Sequence, residues 1–261
     1  MPESLNPVLL KALESIAAAD HLLIALDFDG TMSPLVPLAA DARPLPGSAS
    51  ALSALGQLPE TTTALVSGRA LDSLRSVATP DPETLLIGSH GAETWTGPDG
   101  APLTLTDQQT DLLRRATAAV QRVVDAHAGT MLESKPTGVV LHTRTADDDV
   151  AAAATDAARA ALDQLEGAHI TDGKRVLETS VISADKGQGI RSLREYTGAT
   201  AVLFAGDDVT DEHAFAALEA QDLGIKIGEG QTQAAHRVHS PEELVLVLEH
   251  LLTLRRGSAQ S

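Results

Sequence analysis

The sequence predicts an α/β fold, in which a core built on a parallel sheet carries a smaller inserted α+β domain. Short apolar runs bounded by turn residues alternate with alanine- and leucine-rich segments of helical period, the pattern of a parallel sheet with crossover helices. The middle third instead contains strands joined by short turns, which is typical of an antiparallel sheet. We therefore expect the core from residues 1–106 and 181–261, and the inserted domain from residues 107–180.

Apolar runs mark the strands of the core. In chain order they are HLLIALD (21–27), TTALVSG (62–68), TLLIGSH (84–90), TAVLFAGD (200–207) and LGIKIGE (223–229). The segments GSASALSALGQL (47–58) and ALDSLRSVA (70–78) are predicted helices. The last predicted helix is SPEELVLVLEHLLTL (240–254), where Ser240, Pro241 and Glu243 fit an N-cap, a first-turn proline and the acidic member of a capping box.

The inserted domain is predicted as an αββαββ unit. Its elements are a helix at 107–128, strands at 130–135 and 138–144, a helix at 151–165, and strands at 169–173 and 175–180. Turns at 136–138 (Pro-Thr-Gly) and 172–173 (Asp-Gly) are short enough for antiparallel neighbours, with both helices on one face. The second helix is expected to begin with a capping box from Thr145 to Asp148.

Composition excludes several classes of function. The 261 residues carry a formal net charge of −17, which repels the phosphate backbone of nucleic acids and anionic membrane surfaces. The sequence has no cysteine, so disulfides, zinc–thiolate sites and cysteine nucleophiles are ruled out. The N-terminal segment lacks the pattern of an export signal, and no apolar stretch approaches the ~20 residues of a membrane span. We expect a monomeric, cytoplasmic protein that binds neither nucleic acid nor membranes.

Two aspartates follow the first strand directly. Asp27 and Asp29 are two residues apart on an extended chain, so they point the same way, towards the crevice where ligands bind in open α/β sheets. Gly30 permits a sharp turn close to a ligand, and Thr31 offers a hydroxyl and an amide. The less favoured alternative for this stretch alone is an Asp-Gly turn with a helix-capping aspartate.

Polar residues also follow two other strands. Ser67, Gly68 and Arg69 supply a hydroxyl, a flexible amide and a positive charge suited to a phosphate or a sugar hydroxyl, although Ser-Gly-Arg alone is usually only a turn. The run after the fourth strand contains Asp207, Asp208, Asp211 and Glu212, of which the last two also suit a helix N-terminus. Carboxylates without histidine or cysteine are the hard oxygen ligands that Mg²⁺ prefers.

The motifs DFDGT, SGR, DKG with Lys186, and GDDVTDE occur in the order that resembles the haloacid dehalogenase (HAD) phosphohydrolase superfamily. The resemblance implies a HAD-like Rossmannoid core in which Asp27 attacks phosphorus and Asp29 protonates the leaving oxygen and then activates water. It implies Mg²⁺ held by the Asp27 carboxylate, the Asp29 carbonyl and Asp207, with Asp208 and Asp211 as further or alternative ligands. Lys186 and Ser67 would orient the phosphate oxygens, and cations are needed because a carboxylate must approach an anionic phosphate.

The inserted domain resembles the C2-type cap of HAD sugar phosphatases, which closes over the site and selects the leaving group. Its segment LESKPTGVVLHTR resembles trehalose-6-phosphate phosphatases, as do GSHGAE, GKRVLETS and IKIGEGQTQA. The family often has x-Arg-Pro where this chain has Thr179, Ser180 and Val181. The residues that the motifs assign to substrate binding are Thr31, Ser67, Gly68, Arg69, His90, Glu133, Lys135, His142 and Arg144.

These expectations leave alternatives open. Glu133 and Lys135 would also suit an exposed ion pair on a strand, and histidines on such strands are often structural. The leading hypothesis is Mg²⁺-dependent hydrolysis of trehalose 6-phosphate. Rival substrates are mannosyl-3-phosphoglycerate, glucosylglycerol phosphate and sucrose phosphate. A phosphomutase and a non-catalytic phosphosugar-binding protein are further alternatives, although a pure binder gains nothing from two carboxylates directed at an anion.

Overall fold

The computed structural model describes residues 5–97, 100 and 104–258. The chain divides into two compact units, a core unit of Met1–Pro102 with Ala184–Ser261, and an inserted unit of Leu103–Ser183. Within the described residues, no helix combines the length and apolar character that a membrane crossing requires.

Within the described residues, eleven strands and eight α-helices form the two units. The strands are β1 (Leu22–Leu26), β2 (Thr61–Val66), β3 (Leu85–Gly88), β4 (Glu93–Trp95), β5 (Met131–Lys135), β6 (Gly138–His142), β7 (His169–Gly173), β8 (Val176–Ser180), β9 (Ala201–Gly206), β10 (Leu223–Ile227) and β11 (His236–Val238). The helices are α1 (Pro7–Ala17), α2 (Pro46–Gly56), α3 (Leu71–Ala78), α4 (Asp107–Ala126), α5 (Asp148–Leu162), α6 (Lys186–Thr197), α7 (Asp211–Ala216) and α8 (Pro241–Ser258). Of these elements, β5 to β8, α4 and α5 belong to the inserted unit.

The core sheet has the strand order β11-β10-β9-β1-β2-β3-β4. All neighbouring pairs are parallel except β3 and β4 at the edge. The predicted α/β fold and the five predicted core strands are therefore confirmed. The three-residue strands β4 and β11 were not predicted, because so short a segment shows no alternation pattern.

Apolar layers cover both faces of the core sheet. Every residue of β1, β9 and β10 is buried, as expected for parallel strands between two helical layers. The central strands therefore end inside the protein, and their ends lie side by side: the amide of Asp27 donates to the carbonyl of Ala205 at 2.9 Å, and that of Ser67 to the carbonyl of Ile87 at 2.9 Å. Polar residues that follow these strands are thereby brought to one edge of the sheet.

The inserted unit contains a four-stranded antiparallel sheet in the order β5-β6-β8-β7, with α4 and α5 packed on it, which confirms the predicted αββαββ arrangement. Side chains alternate between the two faces of a strand, and Val139, Leu141 and Leu177 lie on the face that packs against α4 and α5. Glu133 and Glu178 both pair with Val140, which lies between Val139 and Leu141 along β6, so both glutamates belong to the other face. The inserted sheet thus has an apolar face and a face with charged side chains.

Two predicted capping boxes differ in detail. At α5 the N-cap is Asp147, and the Thr145 hydroxyl donates to the Gly129 carbonyl, so the expected box from Thr145 is wrong. At α8 the Ser240 hydroxyl accepts from the Glu243 amide at 3.4 Å, but the Glu243 carboxylate accepts from the amide of His239, one residue before the predicted position. In both cases a side chain bonds a backbone group other than the predicted one.

Candidate active site

A buried ion-pair cluster lies where β1 and β9 end. The ammonium of Lys186, the first residue of α6, donates to Asp27 Oδ1 at 2.7 Å and to Asp211 Oδ1 at 2.6 Å. The side chains of Lys186, Asp27 and Asp211 are only 3%, 6% and 0% exposed. Buried charges are tolerated only when they are paired and hydrogen-bonded. The lysine and the two aspartates therefore act as one electrostatic unit.

Asp207 adds a third carboxylate to this unit. One oxygen of each of Asp27, Asp207 and Asp211 lies within 4.8 Å of the others. The Thr31 hydroxyl donates to Asp207 Oδ1 at 3.3 Å. Gly30 has φ +85°, and a Cβ built there would lie 2.1 Å from Asp207 Oδ2. The turn after β1 therefore needs glycine, both for its backbone conformation and for the room it leaves to Asp207.

Two acids of the cluster, Asp27 and Asp207, hold protons more tightly than isolated aspartates do. Burial, the largest cause, raises the pKa of Asp27 well above its ordinary value; Lys186 opposes this, whereas Asp211 and Asp207 add to it. Burial likewise raises the pKa of Asp207 from 3.8 to about 6, with a further contribution from Asp211. Burial lowers the pKa of Lys186, but the carboxylates of Asp27 and Asp211 outweigh it and raise that pKa overall. The cluster has more negative charge than one ammonium neutralises.

Several of the predicted metal ligands fit a divalent cation. The donor set of Asp27, Asp207 and Asp211 consists of carboxylate oxygens, which suit Mg²⁺. Asp211 is the most constrained of them, because one oxygen accepts from the lysine and the other from the Asp208 amide at 2.8 Å. The carboxylate of Asp208 is exposed and accepts from the next backbone amide instead. The structure thus brings three predicted metal-binding side chains together and leaves that of Asp208 apart.

Asp29 is bound by Arg69 and does not share the ammonium of Lys186 with Asp27 and Asp211. Arg69 Nε and Nη2 each donate to one Asp29 oxygen at 2.6 Å, a bidentate geometry. Arg69 Nη2 also donates to the Ala39 carbonyl at 2.8 Å, and its guanidinium carbon lies 5.6 Å from the centre of the Phe28 ring. The Asp29 side chain is still 36% exposed. Both carboxylate oxygens are therefore oriented while solvent and ligands keep access to them.

A strained turn places His90 against the Ser-Gly-Arg segment. His90 and the preceding Ser89 have φ values of +55° and +46°, in the left-handed region that few non-glycine residues adopt. The His90 amide donates to the Ser67 carbonyl at 3.1 Å. A Cβ on Gly68 would lie 2.4 Å from the His90 ring, so this close packing requires glycine at that position. Backbone strain of this kind is often retained at functional sites.

Other predicted binding residues lie in the inserted unit, on the charged face of its sheet. Lys135 Nζ donates to Glu178 Oε1 at 2.7 Å, and Glu133 Oε2 lies 2.7 Å from His142 Nε2. The Lys135 side chain is 9% exposed, whereas that of Glu133 is 51% exposed. Arg144 is exposed in the turn after β6. These side chains offer donors and acceptors on neighbouring strands, a combination that suits sugar hydroxyls.

Two residues of these networks were not among the predicted site residues. Glu178 is the partner of Lys135, and Lys226 donates to the Asp207 carbonyl at 2.6 Å. A signal for Lys226 existed, because it is one of only five lysines and lies within a predicted apolar strand. A lysine in such a strand needs buried acceptors, and the nearby aspartate-rich run offers them.

Sequence comparisons relate the chain to trehalose-phosphate phosphatases. A family model described as trehalose-phosphatase matches residues 25–243. The bifunctional trehalose-6-phosphate synthase/phosphatase of Thermoproteus tenax is 31% identical over 245 residues, which cover 92% of this chain and 33% of that protein. The trehalose-phosphate phosphatase of Mycobacterium avium is 31% identical over 258 residues, which cover 92% of this chain and 64% of that protein. The chain thus spans between a third and two thirds of these relatives.

Solved structures share the fold. A protein described as related to trehalose-6-phosphate phosphatase matches with a TM-score of 0.70 and 27% identity, covering 90% of this chain and 99% of that one. The C-terminal domain of the Candida albicans trehalose-6-phosphate phosphatase matches with a TM-score of 0.77 and 20% identity, covering 96% of this chain and 98% of that one. A HAD subclass IIB sugar phosphatase matches with a TM-score of 0.56 and 13% identity, over 86% of this chain and 96% of that one.

Proposed function

The chain belongs to the trehalose-phosphatase family, and from that premise we propose that it hydrolyses trehalose 6-phosphate to trehalose and inorganic phosphate. The observation that carries the proposal is the buried cluster in which Lys186 bonds Asp27 beside two further carboxylates. A nucleophile, a fixed ammonium and an oxygen-rich cation site at one sheet edge are the parts that phosphoryl transfer needs.

The chain's own residues can divide the reaction between them. Asp27 attacks phosphorus, a new P–O bond forms to its carboxylate, and the bond from phosphorus to the sugar oxygen breaks. Asp29 gives its proton to the departing sugar oxygen and then takes a proton from the water that cleaves the aspartyl-phosphate. Lys186 and Ser67 hold phosphate oxygens. Arg69 orients the ionised Asp29 through two hydrogen bonds, and one of these must open when Asp29 takes up the proton that it later gives, because a protonated carboxyl no longer offers two equivalent acceptors.

The cation proposed for this site is Mg²⁺. The carboxylates of Asp27 and Asp207 would hold it, together with the Asp29 carbonyl that the family resemblance implies, and with Asp211 or Asp208 as alternatives. When bound, Mg²⁺ would neutralise charge between the phosphate and the attacking carboxylate. The excess negative charge at the cluster supports this assignment, because one ammonium faces three buried or partly buried acids.

A panel of sugar phosphates tests the proposal. We expect phosphate release from trehalose 6-phosphate with Mg²⁺, loss of release when EDTA is added, and its return with excess Mg²⁺. The panel should include mannosyl-3-phosphoglycerate, glucosylglycerol phosphate and sucrose phosphate, each scored by kcat/KM. Preference for one of these would reassign the substrate, isomerisation without release would indicate a mutase, and binding without turnover would indicate a non-catalytic protein.

Lys135→Ala tests whether the inserted unit selects the sugar. The lysine is a nearly buried donor on the charged face, so under this proposal its loss removes a hydrogen bond to the leaving group, besides the one to Glu178, and none to the phosphate. We expect KM for trehalose 6-phosphate to rise about tenfold or more, and kcat/KM for p-nitrophenyl phosphate to stay within about twofold. Arg122→Ala, which removes a positive charge from the exposed surface of α4, is the matched control. Equal losses on both substrates would mean that Lys135 does not contact the sugar.

We also retain the expectations of a monomer and a cytoplasmic location. Light scattering during size-exclusion chromatography would test the first, and fractionation of the native cells would test the second.

A further inference from the structure

Lys226 is a buried cation that the catalytic proposal leaves without a role. It lies in β10, where the other residues are apolar or glycine, and its side chain is only 4% exposed. Burying an ammonium is strongly unfavourable unless it is paired and hydrogen-bonded. Lys226 therefore depends on specific partners.

These partners all belong to the segment that carries the acidic residues after β9. Lys226 Nζ donates to the carbonyl of Asp207 at 2.6 Å, and the carbonyl of Asp208 and Glu212 Oε1 lie at 3.5 and 3.7 Å. The two carbonyl oxygens accept hydrogen bonds from the ammonium, and Glu212 Oε1 forms an ion pair with it at longer range. Glu212 is itself anchored, because its other oxygen accepts from the Gln233 amide at 2.7 Å. The lysine thus ties the main chain of this segment to the neighbouring strand.

Lys186 and Lys226 bond different kinds of group at the site. Lys186 bonds carboxylate oxygens, those of Asp27 and Asp211. Lys226 bonds main-chain oxygens, so it places positive charge beside Asp207 without bonding the Asp207 carboxylate. That carboxylate remains directed at the cluster, within reach of Thr31. A cation could then bind Asp207 without displacing a lysine from it.

We infer that Lys226 is a positioning residue for the divalent cation, an inference that rests on the proposed Mg²⁺ site. It holds the main chain at Asp207 so that this carboxylate stays directed at Asp27 before any metal binds. Its charge also offsets the repulsion among the acids of the segment, which would otherwise turn the carboxylates apart. Groups that orient metal ligands in this way typically change metal affinity by about 10- to 100-fold when they are removed.

Direct titration with Mn²⁺ tests the inference without any turnover. Free Mn²⁺ is followed by electron paramagnetic resonance as it is added to the wild type, Lys226→Met, Lys226→Arg and Lys11→Met, where Lys11 is an exposed lysine of α1. We expect the Kd for Mn²⁺ to rise about tenfold or more in Lys226→Met, because the methionine keeps the length and loses the donors. The Kd of Lys226→Arg for Mn²⁺ should lie between those of Lys226→Met and the wild type, and the Kd of Lys11→Met should equal that of the wild type.

A purely structural role predicts a different result. It would lower Tm in Lys226→Met and leave the Kd for Mn²⁺ unchanged in the folded protein, which would overturn the inference. A positioning role also predicts that kcat of Lys226→Met recovers to within about threefold at saturating metal, because the defect lies in metal affinity. If Lys226→Met does not fold, Lys226→Arg decides: a Kd for Mn²⁺ equal to that of the wild type overturns the inference.

The outcome is separable from that of the proposed function. If the wild type hydrolyses none of the sugar phosphates, the Mn²⁺ titration still measures the dependence of the site on Lys226. If the wild type is active and Lys226→Met binds Mn²⁺ normally, only the inference fails. A wild type that binds no Mn²⁺ overturns the inference whatever the panel shows.

Discussion

Asp27→Asn is expected to lower kcat for phosphate release by at least about 10⁴-fold, corresponding to about 5 kcal/mol of transition-state stabilisation. The amide keeps the shape of the carboxylate but cannot form the acyl-phosphate. The fold should persist, because the amide oxygen can still accept from Lys186, which now bonds Asp27 Oδ1 at 2.7 Å. Removing one charge from a cluster with excess negative charge should leave Tm unchanged or raise it.

Single-turnover phosphate release and thermal unfolding together check this expectation. Asp163→Asn, at an exposed aspartate beyond α5, removes the same charge from the surface and should retain full activity. Asp27→Asn with activity within tenfold of the wild type would show that another group attacks phosphorus. A large fall in Tm would show that Asp27 is needed for folding, and the kinetic result would then be read at a temperature where the variant is folded.

Lys186→Met is expected to lower both activity and stability. The substitution leaves the buried carboxylates of Asp27 and Asp211 without their shared ammonium, and breaking a buried pair in this way costs about 3–5 kcal/mol. For a chain of this size we expect Tm to fall by about 5–15 °C. Phosphate release should fall by about 10³-fold or more, since the lysine also orients the phosphate.

The loss of stability in Lys186→Met should depend on pH in a defined direction. The pKa of Asp207 is raised from 3.8 to about 6 in the folded chain, and that of Asp27 is raised as well; both should rise further without the lysine. An acid whose pKa is higher in the folded chain favours folding below the unfolded value, and that contribution is lost as pH rises through the folded value. The Tm difference from the wild type should therefore be smaller at pH 5 than at pH 8.

Calorimetry at the two pH values checks this, with Lys11→Met as the control for loss of one surface charge. A difference in Tm that is equal at both pH values, or larger at pH 5, would mean that the carboxylates do not take up protons when the lysine is absent. Retention of wild-type kcat would mean that the ammonium does not assist the reaction.

Much of the fold followed from local patterns. The apolar runs of β1, β2, β3, β9 and β10 were predictable because strands buried on both faces are mostly apolar. The αββαββ unit was predictable because its turns and alternation act over a few residues. The short β4 and β11 were not, since pairing with a neighbouring strand rather than local sequence makes them strands.

The site likewise has features that the sequence predicts and features that it does not. Asp27, Lys186 and Asp207 were predicted from motifs, and the structure places them together although Lys186 and Asp27 are 159 residues apart. The partners of each charge were not predictable. Arg69 was expected to face a phosphate or a sugar hydroxyl, and in this structure it clamps Asp29. Its role toward substrate stays a prediction.

The sequence by itself determined which chemical groups stand at the strand ends, because strand direction and residue order place them there. Only the tertiary structure decided how those groups pair. Ion-pair choice depends on distances of a few ångströms and on burial, which strengthens each contact and penalises each unsatisfied charge. For that reason Asp27 and Asp29, close in sequence and similar in type, have different partners: a buried lysine for the first, and for the second an arginine whose side chain is 10% exposed.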